Sequence, residues 1–241
     1  MLLFTLPLFA VALIYGAAAL LPAIYLMKYI YRKDTVEKEP SMLLMSLLIY
    51  GVIAALISIA LEGIGTKILN SLMDQSTVGY TLVLAFVVVA MVEEGAKFAM
   101  LKRRTWREVN FNYRFDGIVY AVFISLGFAA FENVGYVLGY GLSVAPARAL
   151  LAVPGHMCFG VFMGTFYGRA KQCQVWGDKS EERANLWLGY IVAVLLHGFY
   201  DSCAMVNTVA SSIIFIAFVV IMYIVVIKKV NKESQNDGPI I

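Results

Sequence analysis

The sequence predicts an all-α fold, a polytopic bundle of about seven membrane-spanning helices. Three observations carry that expectation. Apolar residues make up 61% of the 241-residue chain, and its mean hydropathy is +0.79. Charged residues make up only 15%, against about 25% in a soluble domain. Apolar runs of about 20 residues, the length that crosses a bilayer as a helix, recur between short polar breaks.

Taken in order, the expected spans are Leu2–Ile30, Met42–Gly63, Tyr80–Leu101, Gly117–Gly139, Ala147–Gly168, Leu186–Met205 and Thr208–Ile227. The first lacks the basic start of a signal peptide, and its apolar run is too long for one, so it reads as a retained span. Residues 1–230 form a single transmembrane domain on this reading. Residues 231–241 form a short polar tail, expected to be cytoplasmic and disordered.

Basic residues set the expected orientation. Lys28, Arg32, Lys33 and Lys38 mark the end of the first span. Lys102, Arg103, Arg104, Arg107 and Arg114 follow the third, Arg169, Lys171, Lys179 and Arg183 the fifth, and Lys228, Lys229 and Lys232 the last. The opposite loops hold only Lys67. The positive-inside rule then places the N-terminus outside and the C-terminus in the cytoplasm. The net charge of +3 reflects this asymmetry, and nothing in it points to a nucleic-acid partner. Cys158, Cys173 and Cys203 have no metal or redox spacing and read as small apolar residues with one free thiol.

Ionisable groups inside the spans carry the chemistry. The third span holds Glu93, Glu94 and Lys97, with Glu93 and Lys97 on one helix face. The fourth holds Glu132 and Asn133, and the fifth His156, with Arg148 near its outer end. The sixth holds His197 and Asp201, again four apart. Facing lipid, the four acids and Lys97 would cost on the order of 12–18 kcal/mol, more than the stability of a typical domain. They are therefore expected to face inward and one another. Helical rise puts Glu132, His156, His197 and Asp201 about 7–15 Å below the outer edge. His156, Gly160, Gly164 and Gly168 repeat every four residues, a spacing that lets helix backbones approach. Gly135 and Gly139 are expected to do the same on the fourth span. Pro154-Gly155 would bend the fifth span or free a carbonyl.

A carboxylate pair beside two histidines suits water activation. One glutamate acts as general base while a histidine steadies an oxyanion. The residues equally suit a metal. No ion is required by the pattern, but zinc would find ligands in Glu93, Glu132, His156 and His197. A third reading is a proton relay in a proton-coupled transporter, although no inverted repeat is visible. The H-E-x-x-H and G-x-S-x-G signatures are absent.

Five motifs then come in order: Glu93-Glu94-Gly95-Ala96-Lys97, Arg114-Phe115-Asp116-Gly117, Phe128-Ala129-Ala130-Phe131-Glu132-Asn133, Pro154-Gly155-His156 and His197-Gly198-Phe199-Tyr200-Asp201. With them the chain resembles the PrsW family of bacterial intramembrane proteases. The resemblance implies a multi-pass protein of the bacterial cytoplasmic membrane that makes the first cut in a membrane-bound anti-sigma factor, on its extracytoplasmic side. A second protease follows, and the released sigma factor turns on envelope-stress genes. The family is similar in turn to CAAX-processing membrane proteases, in which a glutamate activates water. Carried over, Glu93 or Glu94 is the base, His156 and His197 bind water or the oxyanion, and Asp201 stands for an asparagine. Glu132 stands where those enzymes have a histidine, and Lys97 comes one residue before their arginine. Arg148 is left to pair with Glu132, to meet a substrate carboxylate, or to snorkel at the interface. Glu62 reads as interfacial, and Asp116 as an acid favouring a helix start.

Overall fold

The computed structural model describes residues 8–206 and 208–240. The expected beginning of the first span, residues 2–7, lies outside them. Seven helical rods run in sequence: α1 (Leu8–Lys33), α2 (Ser41–Leu72), α3 (78–105), α4 (Asp116–Tyr140), α5 (Leu142–Val175), α6 (Lys179–Met205) and α7 (Val209–Gln235). Among the described residues there is no strand, only one bridge between Tyr113 and Pro239. Six rods are long and apolar enough to cross a membrane. The seventh, α3, matches them in length but carries Glu93, Glu94 and Lys97. The all-α bundle of about seven spans is as the sequence predicts.

Local chemistry sets the helix ends. The Thr77 hydroxyl accepts the Tyr80 amide at 3.1 Å and opens α3. Asp178 accepts the amides of Ser180 and Glu181 at the start of α6. Thr208 and Ser211 form a reciprocal capping box on α7. Gly141 closes α4 with φ +81, in the left-handed region that favours glycine. Inside α5, Pro154 withholds the amide that Leu150 would otherwise receive. The Tyr223 hydroxyl of α7 donates to that carbonyl instead, at 2.7 Å, so the carbonyl expected from Pro154 is freed and then satisfied.

Helix α4 is the centre of the bundle. Every residue from Asp116 to Ala129 is buried, with α1, α2, α3 and α5 packed around it. Its approach to α5 is glycine against glycine. A Cβ on Gly117 would lie 2.6 Å from the Gly168 amide nitrogen, and one on Gly164 2.6 Å from the Ile118 Cα. The four-residue glycine stripe below His156 thus makes the close crossing expected of it. Gly135 and Gly139 do not, for a Cβ on either would meet nothing within 4 Å. Their place is taken by Gly127, whose Cβ would lie 2.5 Å from the Leu48 carbonyl of α2.

The tail departs from the expectation of disorder. Helix α7 runs on to Gln235, where Ser234 donates to the Lys33 carbonyl at the end of α1. Residues 236–240 then fold back over the loop before α4. The Phe115 amide donates to Asp237 at 2.9 Å, the Arg114 amide to the Gly238 carbonyl at 3.2 Å, and the Ile240 amide to the Asn112 carbonyl at 2.8 Å. Ile240 is buried. The polar composition of the tail hid this because its anchoring is mostly backbone pairing, with one apolar side chain.

Beneath this strap, outside the spans, lie two buried acids, Asp34 and Glu39. Neither Asp34 oxygen has a hydrogen-bond partner. Burial pushes the Asp34 carboxyl up to about 6, with Lys38 opposing and Asp237 adding. Burial likewise pushes Glu39 up to about 7, with Tyr120 and Asp116 opposing.

Two outcomes follow from this packing. Gly164→Ala should lower stability by about 1–3 kcal/mol, the usual cost of overpacking, whereas Gly135→Ala should leave it unchanged; thermal unfolding in detergent reads both. Asp34 and Glu39 hold protons in the folded protein that the unfolded chain sheds near pH 4. Their contribution is therefore present in acid and lost as pH rises through about 6 and about 7. Amide exchange over residues 236–240, corrected for intrinsic rates, should be slower at about pH 5.5 than at about pH 8, and Asp34→Asn should flatten the difference.

Candidate active site

Helix α3 brings the acids inward through an irregular stretch. Residues Leu84–Ala90 form wide π turns directly before Glu93, a departure from α geometry that is common beside functional sites. The stretch is pinned on both sides. The Phe86 ring packs against Gly198, where a Cβ would lie 2.7 Å from ring carbon Cε1. The Tyr190 hydroxyl donates to the Met91 carbonyl at 3.1 Å. Glycine at 198 is thus what lets α6 press His197 towards α3.

At the centre stands the Lys97 ammonium. It donates to Glu93 Oε2 at 3.0 Å, Glu94 Oε1 at 2.8 Å and His156 Nδ1 at 3.1 Å. The Phe128 ring lies 3.9 Å from the nitrogen and closes one side. An ammonium has three donors and no acceptor, so the three bonds exhaust it. His156 Nδ1 must therefore accept, which leaves the proton on Nε2 to be donated to Glu132 Oε2 at 3.2 Å. His197 faces a carboxylate at each nitrogen, with Nδ1 2.9 Å from Glu94 Oε1 and Nε2 3.3 Å from Asp201 Oδ2. A ring protonated at both nitrogens satisfies both contacts. The Phe159 ring stacks on His197 with centroids 4.7 Å apart and holds its plane.

A second layer backs the histidines. Arg148 donates to Glu132 Oε2 at 2.7 Å and to Asn133 Oδ1 at 2.8 Å, and stacks on Tyr136 at 3.8 Å. Asn133 passes the network on to the Ala19 carbonyl of α1 at 2.7 Å. The structure thus brings together Glu93, Glu94, Lys97, Glu132, His156, His197, Asp201 and Arg148. Arg148 pairs with Glu132, one of the readings left for it. Asn133 supports Arg148 and does not reach the centre. Asp116 lies far along α4 from this site and accepts the amides of Asn112 and Tyr113, at 3.0 and 2.7 Å.

The ion-holding set differs from the one read from the sequence. One donor atom each from Glu93, Glu94, His156 and His197 lie within 4.8 Å of one another. Glu94 replaces Glu132, whose Oε2 is engaged by Arg148 and His156 on the far side of the imidazole. Sequence spacing separates these roles poorly, because all the carboxylates lie within one helical turn of the same cluster. Glu62 was also missed. Its Oε1 is enclosed, and α2 runs ten residues beyond it to Leu72. Its carboxylate lies within electrostatic range of Glu93 and Glu132, and then of Lys97 and His197. The sign available in the sequence was the apolar run that leads up to it, Ile59-Ala60-Leu61.

Seven helices around a buried constellation of carboxylates and imidazoles define the class: a membrane-embedded peptidase. The comparisons with known proteins agree. Residues 39–227 match the model of the "PrsW family intramembrane metalloprotease", and the chain belongs to this family. It is similar to "Protease PrsW" of Clostridioides difficile, 31% identical over 90% of each chain. It is likewise similar to "Protease PrsW" of Bacillus subtilis, 32% identical over 77% of this chain and 80% of the relative. The protein of that name from Halalkalibacterium halodurans is 35% identical over 65% of this chain and 70% of its own. No solved structure matches. Six apolar helices and these relatives indicate a multi-pass bacterial membrane protein.

The family description names a metal, and the donor set fits one. Two carboxylates and two imidazoles are the ligand types zinc takes. Each imidazole turns its Nε2 to a carboxylate, Glu132 or Asp201, the backing that orients metal-ligating histidines. Lys97 uses the lone pairs of three of the four groups, so an ion and this ammonium compete for the same oxygens and nitrogen.

Breaking the central pair should be costly. Lys97→Met should destabilise the protein by about 3–5 kcal/mol, because it leaves two buried carboxylates without their cation. Adding Glu94→Gln should recover part of that loss. Thermal unfolding of the single and double variants in detergent reads the difference.

Proposed function

We propose that this peptidase hydrolyses a peptide bond of a single-span anti-sigma factor, with water activated by the Glu93–Glu94 pair. The observation that carries the reading is the division of labour between the two acids. Glu94 is fully enclosed, and its Oε1 is tied to both Lys97 and His197. It stays charged and orders the site. Glu93 shares only Lys97 at close range, through Oε2, and lies 4.0 Å from His197. Its carboxylate is the one free to take a proton from water.

The rest of the site fits the steps that follow. Attack of water on the scissile carbonyl carbon places negative charge on the carbonyl oxygen. The Lys97 ammonium, whose donors are spent on Glu93, Glu94 and His156, acts on that oxygen as a fixed positive charge. Arg148 and Asp201 keep the imidazoles in place. The proton gained by Glu93 passes to the leaving amine. Where a zinc-type ion is bound, Glu93, Glu94, His156 and His197 hold it, and it supplies Lewis-acid polarisation and a more acidic water.

Orientation and pathway belong to the same reading. With the basic ends in the cytoplasm, the N-terminus lies outside and the site sits in the middle and outer half of the membrane. A first cut on the extracytoplasmic side of the anti-sigma factor then precedes release of its sigma factor under envelope stress. Glu93→Gln should lower cleavage of a tagged single-span substrate by about 10²–10⁴-fold with the protein still folded. His197→Ala should also abolish it. Undiminished cleavage in both variants would exclude water activation by this centre, and proton-driven uptake without cleavage in proteoliposomes would favour a transporter.

A further inference from the structure

Glu62 is a carboxylate that the catalytic centre as described does not use. It lies on α2, across from α3 and α4, and the charged groups that act on it are Glu93 and Glu132, then Lys97 and His197. Its Oε1 is enclosed and has no hydrogen-bond partner. The neighbouring cations are committed elsewhere. Lys97 spends its donors on Glu93, Glu94 and His156, and Arg148 donates to Glu132 and Asn133. An enclosed acceptor with no donor, facing other acids, is costly inside a membrane, and in a helix that only packs an apolar residue would serve better.

A substrate supplies what Glu62 lacks. A single-span segment enters a bilayer with its amides bonded inside its own helix. To present a peptide bond to Glu93, that helix must open locally, which frees N–H groups in a place with little water. Each freed donor needs an acceptor nearby. We propose that Glu62 is a substrate-binding residue of this site: its free Oε1 accepts a hydrogen bond from an N–H donor of the opened segment and holds it against the Glu93–His156 centre. The donor is a backbone amide or the side chain of a basic residue beside the scissile bond. This inference rests on the proteolytic reading above and adds the subsite that reading lacks.

The test separates binding from chemistry. Cleavage of a single-span substrate in nanodiscs is followed for wild type, Glu62→Gln and Glu62→Leu, with thermal unfolding as the control for folding. Loss of a hydrogen bond that leaves a buried group unpaired corresponds to about fivefold to a hundredfold in affinity. Glu62→Leu should raise KM by about that factor and leave kcat within about twofold. Glu62→Gln keeps an acceptor but no charge. It should retain most of the affinity if the donor is a backbone amide, and lose it as Leu does if the donor is a basic side chain. Substrate capture by the cleavage-deficient Glu93→Gln protein, with and without Glu62→Leu, gives a readout that needs no turnover. Lower capture in the double variant supports the subsite even if Glu93 proves not to be the base. Unchanged KM and capture in folded Glu62→Leu, or a fall confined to kcat, would overturn it.

Discussion

The ammonium of Lys97 is the interaction on which the rest of the structure depends. Two carboxylates one residue apart repel, and each would be expensive to bury alone. One nitrogen at 3.0, 2.8 and 3.1 Å from Glu93, Glu94 and His156 turns that liability into a cluster. It also fixes His156, since a donor at Nδ1 leaves Nε2 to reach Glu132. That choice of ring nitrogen propagates outward through Arg148 and Asn133 to the first helix. A chain of full donors and acceptors therefore spans four helices from a single lysine.

Close packing makes the cluster reachable. Lysine and glutamate side chains cannot meet an imidazole on another rod unless the helices approach at the right depth. Gly117, Gly164 and Gly168 bring α4 and α5 together, and Gly198 admits Phe86 so that α6 meets α3. The polar cluster then sits inside walls of Phe128 and Phe159, where the low dielectric strengthens each ion pair and hydrogen bond. The outer helices α1 and α7 are the least buried of the apolar rods and contribute less specific contact.

Much of this was legible in the sequence, for identifiable physical reasons. A charge in an apolar run must face inward, so Glu93, Glu94, Lys97, Glu132, His156, His197 and Asp201 could be gathered before any coordinates. The glycine stripe at 160, 164 and 168 also declared itself, because spacing by four fixes a helix face. Three features did not. The face of Gly135 and Gly139 depends on which neighbour lies opposite, and none does. The docking of residues 236–240 is mostly backbone pairing, which leaves little trace in composition. The surroundings of Glu62 depended on where α2 ends, and the helix runs on to Leu72 through Thr66, Lys67 and Asn70, polar residues that read as the close of a span.

The acids divide by what lies behind them. Glu132 and Asp201 stand behind imidazoles and set which ring nitrogen is available, so they act through His156 and His197. Glu93 and Glu94 stand in front, on the helix that carries the lysine. This order explains why the helix richest in charge is the one least suited to the membrane by composition. Its polar face is never offered to lipid, because α2, α4, α5 and α6 cover it. The insertion cost of α3 is thus offset only after its neighbours have assembled, and the same assembly that makes the helix tolerable completes the site. Folding and catalysis in this protein are set by one polar surface, and a substitution that weakens either must be judged on both.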